Sequence, residues 1–239
     1  MHREYHKWFS PCLGREMELA VYGHAGARVF VFPCSRGKFW DWEDQGMVAA
    51  LGHHLKRGWI QLYCLDSVDG ESWYAYHKPR GARMHRNAQF YEYILQEVYP
   101  LSRSKNGNPF TIVTGASMGG YHAINFALRY PNCVGRVIDM SGLCDMRRFM
   151  DGGYDPEFYF HNPVDYLPNE NDLWRLEHMR RMDIIFAIGQ TDPALDSNKR
   201  LSGQLWAKGV GNALRIWDGF AHDWPWWRKM ILNYIGGHD

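Results

Sequence analysis

The stretch Phe110–Gly120 (FTIVTGASMGG) constrains this chain more than any other. Thr111, Ile112, Val113 and Thr114 are β-branched strand formers. Gly115, Ala116, Ser117, Met118 and Gly119 then read G-x-S-x-G, and a helix-like segment follows. In that arrangement a sharp strand-to-helix turn presents a serine hydroxyl at the end of a sheet. The glycines have a steric reason: strand and helix approach too closely for Cβ atoms, and a strained nucleophile needs such neighbours. The helix start adds positive potential and free N–H groups where an oxyanion would develop. A bare G-x-S-x-G could be a glycine-rich turn with an incidental serine; the strand before it and the helix after it favour a nucleophile at Ser117.

The rest of the chain supplies a setting for such a turn. Glu16–Tyr22 alternates polar and apolar residues and Arg28–Pro33 is mostly apolar, so the two are expected to pair as a hairpin at one sheet edge. Asp44–Arg57 has helical spacing and stops at Gly58. Trp59–Leu65 reads as a buried strand, Ala82–Tyr99 as a long helix ended by Pro100, and Ser102–Pro109 as a turn-rich linker. Beyond the serine, Met118–Tyr130 is helical and Arg136–Ser141 a short strand. Asp183–Gly189 and Ala213–Trp217 are further strands, with helices at Ser197–Lys208 and Trp224–Ile235. Strands alternating with helices imply an α/β fold: a mostly parallel central sheet with helices on both faces and an antiparallel N-terminal edge. The 239 residues suit one such domain over 1–239, with the irregular stretch 143–182 as a cap over the site.

Charge and cysteine usage narrow the function. Lys and Arg number 27 against 26 Asp and Glu, with no long run of either sign, so nothing argues for a nucleic-acid partner. The start (MHREYHKW) has no apolar signal core, and no stretch approaches the roughly 18 apolar residues of a membrane span. Cys12, Cys34, Cys64, Cys133 and Cys144 show no C-x-x-C pairing, which favours free thiols over a disulfide framework or a zinc site. A soluble cytoplasmic protein is expected. His53 and His54 lack the H-E-x-x-H spacing of a zinc protease and read as surface or helix-packing residues. The loop Asp66–Trp73 and the stretch Tyr154–Tyr166 carry aromatics that either wall the site or pack.

In an open parallel sheet, reactive groups collect in loops at the carboxyl ends of strands. A serine hydroxyl needs a neutral imidazole to take its proton and a carboxylate to orient that imidazole. The loop after Gly189 offers Asp192, with Asp196 as a second carboxylate, and the loop after Trp217 offers His222. Asp192 lies nearer the strand end and is preferred. The order Ser117, Asp192, His222 is that of the α/β-hydrolases. His122, one helical turn past Ser117, is expected to pack beneath the turn and is misplaced for a base. For the oxyanion, one donor is expected from the backbone of Met118 and the other from the loop after the early strand, where Ser35 is preferred and Cys34 is next.

These residues resemble the Putative esterase family of the α/β-hydrolases, which includes esterase D or S-formylglutathione hydrolase, feruloyl esterases and mycolyltransferases. The resemblance runs from about Trp8 to Ile235. It rests on Gly115–His122 (GASMGGYH), on Gly189–Asp192 (GQTD) with Leu195 following, and on His222–Trp227 (HDWPWW). It implies an α/β-hydrolase fold and a serine esterase with Ser117 as nucleophile, Asp192 as acid, His222 as base, and Ser35 and Met118 as oxyanion donors. It also implies no metal, no cofactor and a small-molecule ester or thioester substrate, and it leaves room for a homo-oligomer. Pro33–Cys34–Ser35 departs from the His-Gly that many relatives carry there. Acyl transfer to another acceptor would use the same acyl-enzyme, and a non-catalytic binding module would keep the fold alone.

Overall fold

Side chains alternate along a strand, so a strand covered on both faces must be apolar at every position. From Val29 to Phe32 the strand Ala27–Phe32 (β3) meets that condition: Val29 and Val31 join one core cluster, while Phe30 and Phe32 join the other on the opposite face. The computed structural model describes residues 2–237, and its single sheet has eight strands. The others are β1 (Arg3–Ser10), β2 (Arg15–Tyr22), β4 (Ile60–Leu65), β5 (Thr111–Ala116), β6 (Arg136–Met140), β7 (Asp183–Gly189) and β8 (Ala213–Trp217). Their spatial order is β1-β2-β4-β3-β5-β6-β7-β8. Pairing is parallel from β4 through β8 and antiparallel for β1–β2 and β2–β4. The expected mostly parallel sheet with an antiparallel N-terminal edge is the architecture found.

The edge is built differently from the hairpin expected of Glu16–Tyr22 and Arg28–Pro33. Strand β2 pairs with β1 and β4, while β3 lies inside the sheet between β4 and β5. The hairpin is β1–β2, turned at Gly14, whose φ of 61° is easy for glycine and whose N–H donates to Ser10 O at 2.8 Å. The short connection at Gly23–Gly26 looked like a hairpin turn, but its length does not say which strand lies beside the next. A six-residue β4 slips between the two.

Helices cover both faces. One core cluster packs β3, β5, β6 and β7 against α4 (Arg80–Tyr93), α6 (Met118–Arg129) and α10 (Leu195–Ala207). The other packs them against α11 (Trp224–Tyr234) and three short helices, α1 (Asp41–Asp44), α2 (Met47–Ala50) and α3 (Gly52–Lys56). The single helix expected over Asp44–Arg57 is thus broken, and Gly46, at φ 72°, interrupts it. Pro100 does not end the long helix. Its ring would clash with the carbonyl four residues back, but a π-turn at Ile94–Val98 widens the backbone there. The chain continues as α5 (Tyr99–Lys105) into what the sequence suggested was a linker.

Residues 143–182 carry more regular structure than their composition suggested. They hold α7 (Pro156–Tyr159), α8 (Pro163–Tyr166), α9 (Leu173–Arg180) and two short 3-10 turns. Leu143, Met146, Phe149, Met150 and Phe158 form a third apolar cluster with Met118, Tyr121, Trp73 and Ile188, so this segment packs over the start of α6. Trp73 is fully buried there and its indole N–H donates to Asn87 Oδ1 at 3.1 Å, so it packs and does not line a cleft. Among the described residues no helix is long and apolar enough to cross a membrane.

Candidate active site

The strand-to-helix turn at Ser117 is built by contacts that only glycine allows. A Cβ on Gly115 would sit 2.4 Å from the Gly119 backbone, and one on Gly119 would sit 2.3 Å from Phe32 O. With both absent, β5, α6 and the end of β3 close to backbone contact, and Ser117 is driven to φ 56°, ψ −119°. An L-residue there is strained by roughly 1–3 kcal/mol. The strain is held by Ser117 N–H donating to Met140 O at 2.9 Å and by Tyr121 N–H donating to Ser117 O at 3.2 Å.

Among the described residues five non-glycine residues have positive φ, and four of them stand in loops beyond the sheet's C-terminal edge: Arg36, Ser117, Ser141 and Ala221. Arg36 follows β3, Ser117 follows β5, Ser141 follows β6, and Ala221 immediately precedes His222. Such strain persists only where the surroundings over-determine it, and it concentrates at functional sites.

Asp192 and His222 meet across the ends of β7 and β8. The chain turns at Gly189, with Gln190 N–H donating to Trp217 O and Thr191 N–H to Gly219 O, at 2.8 and 3.1 Å. Asp192 is buried; its Oδ1 accepts from Ala194 N–H at 2.9 Å and its Oδ2 lies 2.6 Å from His222 Nδ1. A carboxylate can only accept, so Nδ1 carries the proton and Nε2 presents its lone pair. Asp196, the other carboxylate, is exposed in the first turn of α10. The imidazole is held by rings on two sides, with Phe220 stacked at 5.5 Å and Trp227 edge-on at 5.3 Å. Trp227 Nε1–H donates to Ser141 Oγ, and Ser141 Oγ–H donates to Ala221 O, at 3.1 and 3.3 Å. That chain ties the histidine loop to the end of β6. Among the described residues no hydrogen bond joins Ser117 Oγ to His222; the two stand in loops after parallel strands β5 and β8 of one sheet.

The loop after β3 is held by hydrogen bonds at three successive residues and their neighbours. Tyr74 O–H donates to Ser35 Oγ at 2.7 Å, and Gly37 N–H donates to Cys34 O at 2.8 Å. Arg36 N–H donates to Asp69 Oδ2 at 3.1 Å. Among the described residues, no acceptor is seen for the N–H of Ser35 or of Met118. Burial chiefly, with Asp41 and Asp69 adding, pushes the Cys34 thiol up to about 12, so it stays protonated and is no rival nucleophile.

Two buried groups near the turn had no signal in the sequence. Asp69 accepts from His122 Nε2–H at 2.8 Å, beneath the nucleophile turn. Asp139, on β6, is fully buried, and its Oδ1 has no hydrogen-bond partner among the described residues. Desolvation pushes its carboxyl up to about 7. A buried acid reads in sequence like any polar residue in a strand. A histidine five places after the serine could have prompted a search for its partner, but not the partner's number.

The sequence model of the family described as Putative esterase matches residues 64–236. No curated protein matches the chain. Among solved structures, a ferulic acid esterase is similar at TM-score 0.75 and 16% identity, covering 96% of this chain and 94% of that one. An S-formylglutathione hydrolase from Agrobacterium tumefaciens is similar at TM-score 0.75 and 15% identity, covering 98% and 93%. One from Staphylococcus aureus is similar at TM-score 0.69 and 17% identity, covering 96% and 94%. At such identities the likeness is one of fold, and the fold is that of the α/β-hydrolases.

Proposed function

This chain belongs to the Putative esterase family and is a carboxylic ester hydrolase, and from that premise we propose that it works through an acyl-enzyme on Ser117. His222 is the general base, Asp192 orients it, and the N–H groups of Met118 and Ser35 hold the oxyanion. The observation that carries the reading is the 2.6 Å bond between Asp192 and His222 Nδ1, which leaves Nε2 as the free base, in a sheet whose nucleophile turn is strained at Ser117.

The steps follow from those groups. Ser117 Oγ attacks the carbonyl carbon while its proton passes to His222 Nε2. The C=O pair moves to oxygen, where the backbone donors meet it; such donors gain strength where water is excluded. As the tetrahedral carbon collapses, the C–O bond to the leaving group breaks and His222 returns its proton to the departing alkoxide. Water then attacks the acyl-enzyme with His222 again taking the proton, and the acid leaves as Ser117 Oγ recovers it. The hydroxyl and the imidazole must close to hydrogen-bond distance during the first step, a tightening common when substrate enters an empty site.

Small-molecule esters and thioesters are the proposed substrates. Acyl transfer to an alcohol or thiol shares every step up to deacylation, and adding alcohols to the assay separates the two by product ratio. Ser117→Ala should lower turnover of a short-chain p-nitrophenyl ester by about 10⁴-fold or more with the fold intact. Labelling of the wild-type serine by a fluorophosphonate should vanish in the same variant. Undiminished turnover would remove Ser117 from the mechanism.

A further inference from the structure

Asp69 is a fully buried carboxylate that the proposed mechanism does not use. It sits in the loop after β4, and its two oxygens reach in different directions. Oδ1 accepts from His122 Nε2–H at 2.8 Å, and His122 belongs to α6, the helix that begins at Met118. Oδ2 accepts from Arg36 N–H at 3.1 Å, in the loop that carries Ser35. Arg36 is held at φ 54°, a left-handed conformation that an arginine does not choose unaided. The backbone that carries the carboxylate is itself fixed, because Tyr74 N–H donates to Asp69 O at 2.9 Å, and Tyr74 O–H in turn donates to Ser35 Oγ. His122 is fixed as well. Tyr91 O–H meets its Nδ1 at 3.3 Å, and Phe32 and Phe90 pack on the ring at 5.9 and 5.5 Å.

We propose that Asp69 is a positioning residue for the oxyanion hole, tying the loop that presents Ser35 N–H to the helix that presents Met118 N–H. This rests on the acyl-enzyme reading of Ser117. The physical reason is geometric. An oxyanion gains from two donors only if both point at one place, and here the donors come from a loop and from a helix start joined by no direct hydrogen bond among the described residues. One buried carboxylate bonded to both sides sets their spacing. Being desolvated, its charge-assisted bonds are also the strong kind. It touches neither substrate nor reacting atom, so its effect belongs in the transition state and not in ground-state binding.

The test is a split of kinetic constants. Asp69→Asn keeps the size but places an N–H₂ opposite one of two N–H donors, so one tether is lost. The expected result is a fall in kcat of about 10- to 100-fold, with KM changed by less than about threefold, since misaiming a donor costs less than deleting it. Affinity for a trifluoromethyl ketone, which forms an oxyanion on the serine, should fall by a similar factor. Adding Arg36→Asn should restore part of kcat, because asparagine tolerates the left-handed conformation without the Asp69 bond. A purely structural role gives no such rescue. If Asp69→Asn does not fold, His122→Phe, which keeps a ring but has no donor and so cuts the tether on the helix side, should show the same split at smaller size. The proposal is overturned if a folded variant keeps its kcat and ketone affinity, or if kcat falls while ketone affinity holds. Fluorophosphonate labelling of the wild type separates the two levels: without labelling at Ser117 the acyl-enzyme reading itself fails, whereas normal labelling with an indifferent Asp69→Asn sinks only this inference.

Discussion

Among the described residues stand two histidine–aspartate pairs of nearly the same length, in opposite surroundings. His222 and Asp192 are 2.6 Å apart, His122 and Asp69 2.8 Å. Both aspartates are buried. The difference lies at the other ring nitrogen. His122 is enclosed and its Nδ1 meets Tyr91 O–H, so both nitrogens are engaged and no proton can pass to a substrate. His222 is about one-fifth exposed at its side chain, and its Nε2 has no partner among the described residues. An imidazole becomes a base by being held at one nitrogen and left open at the other; held at both, it becomes a brace. Both rings lean on aromatic neighbours, so ring packing does not separate them.

The largest effect should come from the open pair. His222→Gln removes the only base proposed, and kcat/KM for a p-nitrophenyl ester should fall by about 10⁴-fold or more, with little change in Tm. Equal losses of activity from His222→Gln and His122→Phe would erase the distinction between the two pairs. Next comes Asp192→Asn, which offers an N–H₂ where His222 Nδ1–H expects an acceptor and so favours the wrong tautomer. A loss of about 10²- to 10⁴-fold in kcat is expected, measured with the same ester. A full-strength Asp192→Asn enzyme would point to another orienting acid, and Asp196→Asn would then be the variant to make.

The enclosed pair should answer chiefly in stability. His122→Phe leaves Asp69 Oδ1 and Tyr91 O–H short of a buried partner, and the midpoint of urea unfolding should fall by an amount corresponding to about 1–3 kcal/mol. Its effect on kcat should stay within about tenfold. The smallest and most specific effect concerns Asp139. Its carboxyl is raised by burial from 3.8 to about 7, so the folded state binds the proton more tightly than the unfolded chain does. That stabilisation is complete below about pH 4 and is lost as pH rises through about 7. Urea midpoints of wild type and Asp139→Asn, compared at several pH values across that range, should therefore diverge, with only the wild type losing the Asp139 contribution as pH rises. Parallel curves would mean that Asp139 is ionised in the fold.

Much of this was legible along the chain because it depends on local chemistry. G-x-S-x-G, the strand formers before it and the helix after it report a turn whose sterics are all within a few residues. Asp192 and His222 could be singled out because a carboxylate and an imidazole each follow a strand, in an order that family resemblance also suggests, and the structure brings the two to 2.6 Å. What was misread depends on pairing across distance. The β2–β3 hairpin was replaced by β1–β2, since the sequence of Gly23–Gly26 does not record that β4 inserts between its flanks. The stop at Pro100 failed because a π-turn absorbs the proline, and no residue type announces a π-turn.

By itself, then, the sequence determined the fold class, the strained serine turn and the reaction class that such a turn serves, because each follows from residue types at fixed short spacing. Only the tertiary structure decided that His222 meets Asp192 through Nδ1 and keeps Nε2 without a partner among the described residues, that Asp69 faces two elements at once, and that Asp139 is fully buried. Those properties are set by what surrounds a side chain in space, and for Asp69 the partners lie 53 residues ahead at His122 and 33 behind at Arg36.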